Sequence, residues 1–214
     1  MIEAVKARLA VVREKVARLR NPDEIVIVAV TKGFGADTCR AALAAGLHVL
    51  GENRVHEAIL KMEEVPGAEW HLIGHLQTNK VRQAAGRFAL IHSVDSVRLA
   101  TDLARVKPDQ AVLVEINVAR EPQKSGADPD RAQAMITEIA NLLELKGLMA
   151  MGPSEGDPAP AFRELRQMRD DAEQRLGKSL PVLSMGMSGD YEVAVAAGST
   201  MLRLGQALFG PRPS

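Results

Sequence analysis

One lysine stands where a predicted buried strand runs out. Apolar residues continue without interruption from Ile25 to Val30, and Thr31, Lys32 and Gly33 follow them. An unbroken apolar run is typical of a strand that is buried on both faces. Burial disfavours an ammonium group, and a neutral amine forms a Schiff base with an aldehyde or ketone. Lys32 is therefore a candidate nucleophile; the alternative is a lysine that extends into water.

Two glycine-containing turns near the C-terminus are candidates for binding phosphate. The first, SMGMSGD, offers the hydroxyl groups of Ser184 and Ser188, and the second offers Gly205 and Gln206. Glycine lets the backbone approach an anion closely, and backbone N–H groups at such turns bind phosphate. Together with the lysine, they favour a ligand with an aldehyde and a phosphate, such as pyridoxal 5′-phosphate. A phosphorylated ketose, bound by a Schiff-base aldolase, is the alternative.

Arg203 lies in the last predicted strand, TMLRLG. Alternation along a strand places Leu202 and Leu204 on one face and Met201 and Arg203 on the other. An arginine in a barrel interior needs a partner, and a pyridine nitrogen would be one. The arginine would keep that nitrogen unprotonated and so weaken the ring as an electron sink. An ion pair with a strand carboxylate such as Glu115 is the alternative.

These residues stand at strand ends in a repeated strand–helix pattern, which predicts a parallel sheet. About eight strands are expected, the number that closes a TIM barrel, in which functional groups gather at the C-terminal strand ends. We predict a single α/β domain over 1–214, with an N-terminal helix over 1–20 and a (β/α)8 barrel over 25–210. An open doubly wound sheet is the alternative, although no G-x-G-x-x-G follows the first strand. The predicted strands are IVIVAVT, LHVLG, EWHLIG, FALIHSV, QAVLVEINV, LKGLMAM, LPVLSMG and TMLRLG.

Composition excludes several functional classes. Lys plus Arg and Asp plus Glu both number 27, so the net charge is zero and gives no general attraction to nucleic acid or anionic membranes. No apolar run approaches membrane-spanning length. The single cysteine, Cys39, precludes an internal disulfide and fits a reducing compartment. We expect a cytoplasmic protein with no nucleic-acid, membrane or metal site.

Several sequence blocks resemble the YggS/PROSC family of pyridoxal phosphate homeostasis proteins. The blocks are VAVTK, LGENRVHEA, EWHLIGHLQTNK, INVAREPQKSG, LKGLMAM and LSMGMSGDYEVAVAAGSTMLRLGQALFG, from about residue 25 to 210. The resemblance implies a barrel related to the N-terminal domain of bacterial alanine racemase, with Lys32 as the Schiff-base lysine. It also implies cofactor contacts for Asn53, His71, Ser184, Met185, Ser188, Gly189, Arg203, Gly205 and Gln206.

The resemblance further implies a carrier of pyridoxal phosphate without catalytic turnover. Alanine racemase has a second, β-rich domain and uses a catalytic tyrosine from that region of a partner subunit, whereas this sequence ends at Ser214. We expect its single tyrosine, Tyr191, to pack rather than to catalyse. The expected role is intracellular homeostasis of the cofactor, as a monomer or weak homodimer, with pyridoxal-dependent apoenzymes as candidate recipients. A pyridoxal-dependent amino-acid racemase is the alternative.

Overall fold

Eight parallel strands close into a barrel in chain order in the computed structural model, which describes residues 1–211. The last strand pairs with the first, so that Val28 lies opposite Arg203. The predicted barrel is confirmed and the open sheet is wrong. The strands are β1 Val26–Val30, β2 Val49–Glu52, β3 Glu69–Leu72, β4 Leu90–Val94, β5 Ala111–Glu115, β6 Glu144–Met149, β7 Val182–Ser184 and β8 Met201–Leu204.

Helices connect the strands and surround the barrel. Ser96 caps one helix by accepting a hydrogen bond from the Leu99 N–H, and Gly177 ends another in the left-handed conformation. The sequence PDRAQAMITEIANLLEL predicts a helix from residue 129 to 145, but the observed helix ends at Leu142, because Glu144 begins the next strand. The helices are α1 Ile2–Ala17, α2 Ala36–Ala44, α3 Val55–Glu64, α4 Val81–Ala84, α5 Val97–Val106, α6 Pro129–Leu142, α7 Ala159–Leu176, α8 Tyr191–Ala196 and α9 Gln206–Phe209.

The N-terminal helix α1 packs against its own barrel. Its buried stripe of Val5, Leu9, Val12 and Val16 joins the main hydrophobic core. From the sequence we expect this stripe to cover the barrel, with pairing to another copy as the alternative, and the structure shows that it covers the barrel. Within residues 1–211, no helix combines the length and the apolar character needed to cross a membrane.

Strand residues alternate between two apolar layers. Outward side chains such as Leu50 and Leu202 pack beneath the helices in the main core. Inward side chains form a smaller cluster inside the barrel, which includes Val28, Leu113 and Met201. Polar side chains that point into the barrel need hydrogen-bond partners there, and they find them around Arg203.

Candidate functional site

The C-terminal ends of β1 and β8 border a cavity of about 500 Å³ at the barrel mouth. This volume lies within the range of small-molecule sites. Six residues predicted to bind the cofactor lie in its walls: Lys32, Ser188, Gly189, Arg203, Gly205 and Gln206. The remaining wall is mostly apolar and consists of Val30, Phe34, Ile73, Met187, Gly210 and Pro211. The structure therefore brings the lysine and both glycine-containing turns to one opening.

Lys32 reaches this opening because β1 ends just before it. Thr31 is fully buried and continues the strand by a hydrogen bond from its N–H to the Gly51 carbonyl. Gly33 has a positive φ of 76°, which turns the chain away from the barrel. Lys32 itself is half-buried. The prediction that its side chain remains at the rim agrees with this placement.

The two glycine-containing turns are tied to each other. The Ser188 hydroxyl oxygen accepts a hydrogen bond of 3.0 Å from the Ala207 N–H in the first turn of α9. Asp190 accepts one of 2.6 Å from the Met187 N–H, which closes the turn after β7. Gly205 lies so close to β1 that an added Cβ would be 3.3 Å from the Val30 carbonyl oxygen. Backbone groups of both turns thus form one wall of the cavity.

Arg203 forms the floor of the cavity and is held from below. Its Nη1 donates to the backbone carbonyl and to the hydroxyl of Ser184, both at 2.7 Å, and its Nη2 donates to the Ala150 carbonyl at 2.9 Å. Burial lowers the pKa of Arg203 to about 10, against the attraction of Glu115 and Asp190. The guanidinium therefore stays charged at neutral pH. The inward orientation predicted by strand alternation is correct.

The alternative ion pair of Arg203 with Glu115 is not the observed contact. Glu115 is buried and accepts a hydrogen bond of 2.7 Å from the Ser125 hydroxyl. Burial raises the pKa of this carboxyl group, although Arg203 partly opposes the shift. Within residues 1–211, the hydrogen bonds of Arg203 go to neutral oxygens, so no anion compensates its charge by direct contact there and the charge suits an electron-rich ligand atom.

A chain of hydrogen bonds leads from Arg203 to the opposite end of the barrel. The Ser184 hydroxyl lies 3.0 Å from Nδ1 of His92, whose Nε2 lies 3.0 Å from Nδ1 of His71. His71 Nε2 lies 2.8 Å from the carboxylate of Glu69, the exposed first residue of β3. Burial lowers the pKa of His92 well below its ordinary value. The hydrogen bond from His71 lowers the pKa of Glu69.

The structure places four other predicted site residues outside the cavity wall. Ser184 and His71 are buried inside the barrel, and Met185 is buried in the main hydrophobic core. Asn53 lines a neighbouring cavity of about 480 Å³, together with Arg54, His56, Val55, Gly74, His75, Gln77 and Lys80. Contact of these four residues with a cofactor stays a prediction. Ser184 contacts Arg203 directly, and His71 is linked to it through His92 and Ser184.

Sequence reasoning missed His92 and the buried ion pair of Lys61 with Glu52. Each left a signal. His92 interrupts the apolar strand FALIHSV, and a polar residue at an inward position needs a partner inside the barrel. Glu57 and Lys61 stand four residues apart in RVHEAILKMEEV, a sequence that predicts a helix, and this is the spacing of an ion pair.

The chain resembles known proteins over nearly its whole length. The family model of the alanine racemase N-terminal domain matches residues 2–213. The pyridoxal phosphate homeostasis protein of Escherichia coli K12 is 40% identical over 224 positions, which cover 95% of each chain. That of Aquifex aeolicus is 39% identical over 197 positions, which cover 87% of this chain and 86% of the relative. The chain belongs to the family of pyridoxal phosphate homeostasis proteins.

Solved structures extend this family assignment. PipY of Synechococcus elongatus with pyridoxal phosphate bound is 35% identical, with a TM-score of 0.86 over 96% of this chain and 100% of PipY. Alanine racemase of Clostridium difficile is 15% identical, with a TM-score of 0.81 over 99% of this chain and 58% of the racemase. At that identity the likeness to the racemase shows the fold alone.

Tyr191 lies apart from the cavity wall in this member of the family. It is buried at the start of α8, and Nζ of Lys15, from α1, lies 5.9 Å from the centre of its ring. Burial raises the pKa of its hydroxyl. The expectation that Tyr191 packs is consistent with this position.

Proposed function

We propose that this chain binds pyridoxal 5′-phosphate in the mouth cavity, as a Schiff base with Lys32, and holds it for intracellular delivery without turning over a substrate. The observation that carries the proposal is that Lys32 and the two glycine-containing turns line one cavity of about 500 Å³. The structure of PipY with pyridoxal phosphate bound supports the choice of ligand. The names of the homeostasis relatives support the role.

The donor set fits the parts of this cofactor. Serine and glycine turns with backbone N–H groups suit a phosphate, and the Lys32 amine suits an aldehyde. The neutral amine adds to the aldehyde carbon, a C=N bond forms, and the carbonyl oxygen leaves as water. Arg203 lines the cavity, and its guanidinium, which only donates hydrogen bonds, suits an unprotonated pyridine nitrogen.

The same arginine would weaken the bound ring as an electron sink. Bound pyridoxal phosphate supplies an electron sink that stabilises carbanions, and the sink is strongest when the pyridine nitrogen carries a proton. Arg203 has no proton-accepting atom and keeps its charge, so it disfavours that proton. Tyr191, the single tyrosine, lies beneath α1 rather than in the cavity wall. The site thus favours holding the cofactor over activating it.

Absorption spectroscopy tests the binding mode. The protein loaded with pyridoxal phosphate should show the band of a protonated Schiff base in the near ultraviolet or visible. Borohydride reduction should fix the cofactor mass on the peptide that contains Lys32. Lys32→Ala should lose the band and the label, whereas Lys80→Ala, in the neighbouring cavity, should retain both. A wild-type protein that gains no band would contradict the proposal.

Incubation with single-enantiomer amino acids in deuterium oxide tests the absence of turnover. The loaded protein should neither form the mirror enantiomer nor exchange the Cα hydrogen. Exchange that is lost in Lys32→Ala would establish a racemase-type activity instead. The proposed setting is the cytoplasm, with pyridoxal-dependent apoenzymes as recipients and the protein acting as a monomer or weak homodimer. Transfer of cofactor to a purified apoenzyme, measured by recovery of that enzyme's activity, tests this part.

A further inference from the structure

A buried cluster of charged side chains stands directly behind Lys32, between the barrel and helix α3. It consists of Glu52, from the end of β2, and of Glu57 and Lys61, from α3. Lys61 Nζ contacts Glu52 at 2.6 Å and Glu57 at 2.8 Å. The side chains of Glu52 and Lys61 are 0% and 8% exposed, so this ion pair belongs to the interior.

The cluster binds the backbone on both sides of Lys32. Lys61 Nζ also donates a hydrogen bond of 2.9 Å to the Thr31 carbonyl, which belongs to the peptide group before Lys32. Glu57 accepts one of 3.0 Å from the Gly33 N–H, which belongs to the peptide group after it. The Thr31 hydroxyl adds a hydrogen bond of 2.6 Å to Glu52. Two peptide groups fix the position of the Cα atom between them, and here both are held by ions.

Stability alone does not account for these ions. A buried ion pair contributes little to folding on balance, and apolar residues of similar volume often serve as well or better. One oxygen of the Glu52 carboxylate has no hydrogen-bond partner among the described residues, and burial raises the pKa of this group. What the ions do provide is strong, directed hydrogen bonds to two particular peptide groups.

We infer that Glu57 and Lys61 are positioning residues, which hold Lys32 at the distance from the phosphate turns that Schiff-base formation requires. The inference rests on the proposed function and adds the part that α3 plays in it. A reacting amine must lie in a narrow range of distance and angle, and small displacements cost large factors in rate. Because Glu57 and Lys61 sit one helical turn apart, α3 holds both peptide groups as one rigid element.

The test compares two ligands that share a ring and a phosphate. Pyridoxine 5′-phosphate lacks the aldehyde and reports binding alone, whereas pyridoxal 5′-phosphate also reports Schiff-base formation. Glu57→Ala keeps the Lys61–Glu52 pair, and alanine suits a helix at a position that is 31% exposed, so this variant should fold. Glu63→Ala, at an exposed position of the same helix, is the matched control.

In Glu57→Ala, the rate of Schiff-base formation should fall roughly tenfold, as expected for loss of a hydrogen bond to a charged group. Its affinity for pyridoxine phosphate should stay within about twofold of wild type. The paired replacement Lys61→Met with Glu52→Gln removes both buried charges and should show the same selective loss. Glu63→Ala should match wild type with both ligands.

If Glu57→Ala and the paired Lys61→Met, Glu52→Gln variant formed the Schiff base at the same rate as wild type, the inference would be overturned and the proposed function would stand. If a variant lost affinity for pyridoxine phosphate by the same factor as it lost rate of Schiff-base formation, the inference would also be overturned, because the loss would indicate general damage to the cavity. A wild type that binds pyridoxine phosphate but forms no Schiff base would overturn the proposed function, and this inference with it.

Discussion

Acid should destabilise the fold through His92, the fully buried histidine inside the barrel. Burial lowers the pKa of His92 well below its ordinary value of about 6.5, and the neighbouring His71 and Arg203 add to this shift. The folded protein therefore keeps His92 neutral, while the unfolded chain binds a proton as the pH falls below about 6.5. Because the unfolded state binds more protons, the free energy of unfolding falls with decreasing pH.

The size of the effect follows from this difference. If His92 stays neutral in the folded state, moving from about pH 7.5 to about pH 5.5 lowers the free energy of unfolding by about 1.4 kcal/mol through this group. His92→Gln removes the titration, and its amide still offers a donor and an acceptor to His71 and Ser184. Between these two pH values, the free energy of unfolding of the variant should therefore fall by about 1.4 kcal/mol less than that of wild type, whatever the stability of the variant at neutral pH.

Urea unfolding, followed by far-ultraviolet circular dichroism at the two pH values, measures this difference. His48→Gln, the same replacement at an exposed position, is the matched control. An equal change in the free energy of unfolding between the two pH values for wild type and His92→Gln would refute the reasoning. They would mean that His92 gains its proton in the folded state as readily as in the unfolded chain.

Two further predictions concern stability. Gly147→Ala should lower the free energy of unfolding by more than about 3 kcal/mol or prevent folding, because an added Cβ would lie 1.9 Å from the Val182 carbonyl oxygen in the adjacent strand. Gly35→Ala, where an added Cβ meets no atom within 4 Å, should change it by less than about 1 kcal/mol, and thermal unfolding distinguishes the two. Lys61→Met should cost about 3 to 5 kcal/mol in urea unfolding, because it leaves Glu52 buried without its cation. Adding Glu52→Gln should recover much of that loss, and a double variant as unstable as the single one would contradict this account.

The sequence predicts the barrel well because its strands are buried on both faces. Each of the eight apolar runs lies on an observed strand, and the rule that parallel strands share one functional end then places Lys32 and Gly205 together. Boundaries are less certain where apolar runs adjoin, as between α6 and β6. There Leu142 and Leu145 fit either a helix or a strand, and the three-dimensional register decides.

The support beneath Arg203 depends on register that no sequence pattern contains. His71 and His92 are 21 residues apart, and they meet because β3 and β4 pair in parallel with His71 opposite Leu90. Ser184 joins them across the barrel, 92 residues beyond His92. Polar residues at inward positions indicate that partners exist, but the barrel's stagger determines which residues they are.

The two ends of this chain of hydrogen bonds determine its direction. A guanidinium only donates and a carboxylate only accepts, so Arg203 and Glu69 orient every group between them. Ser184 accepts from Arg203, and its own hydrogen is directed to Nδ1 of the neutral His92. His92 then carries its proton on Nε2, facing His71, and His71 directs its Nε2 proton to Glu69. Protonation of His92 would place a further positive charge in the barrel interior near Arg203, and burial disfavours that charge. The chain therefore links the exposed Glu69 to the buried Arg203 through a neutral His92.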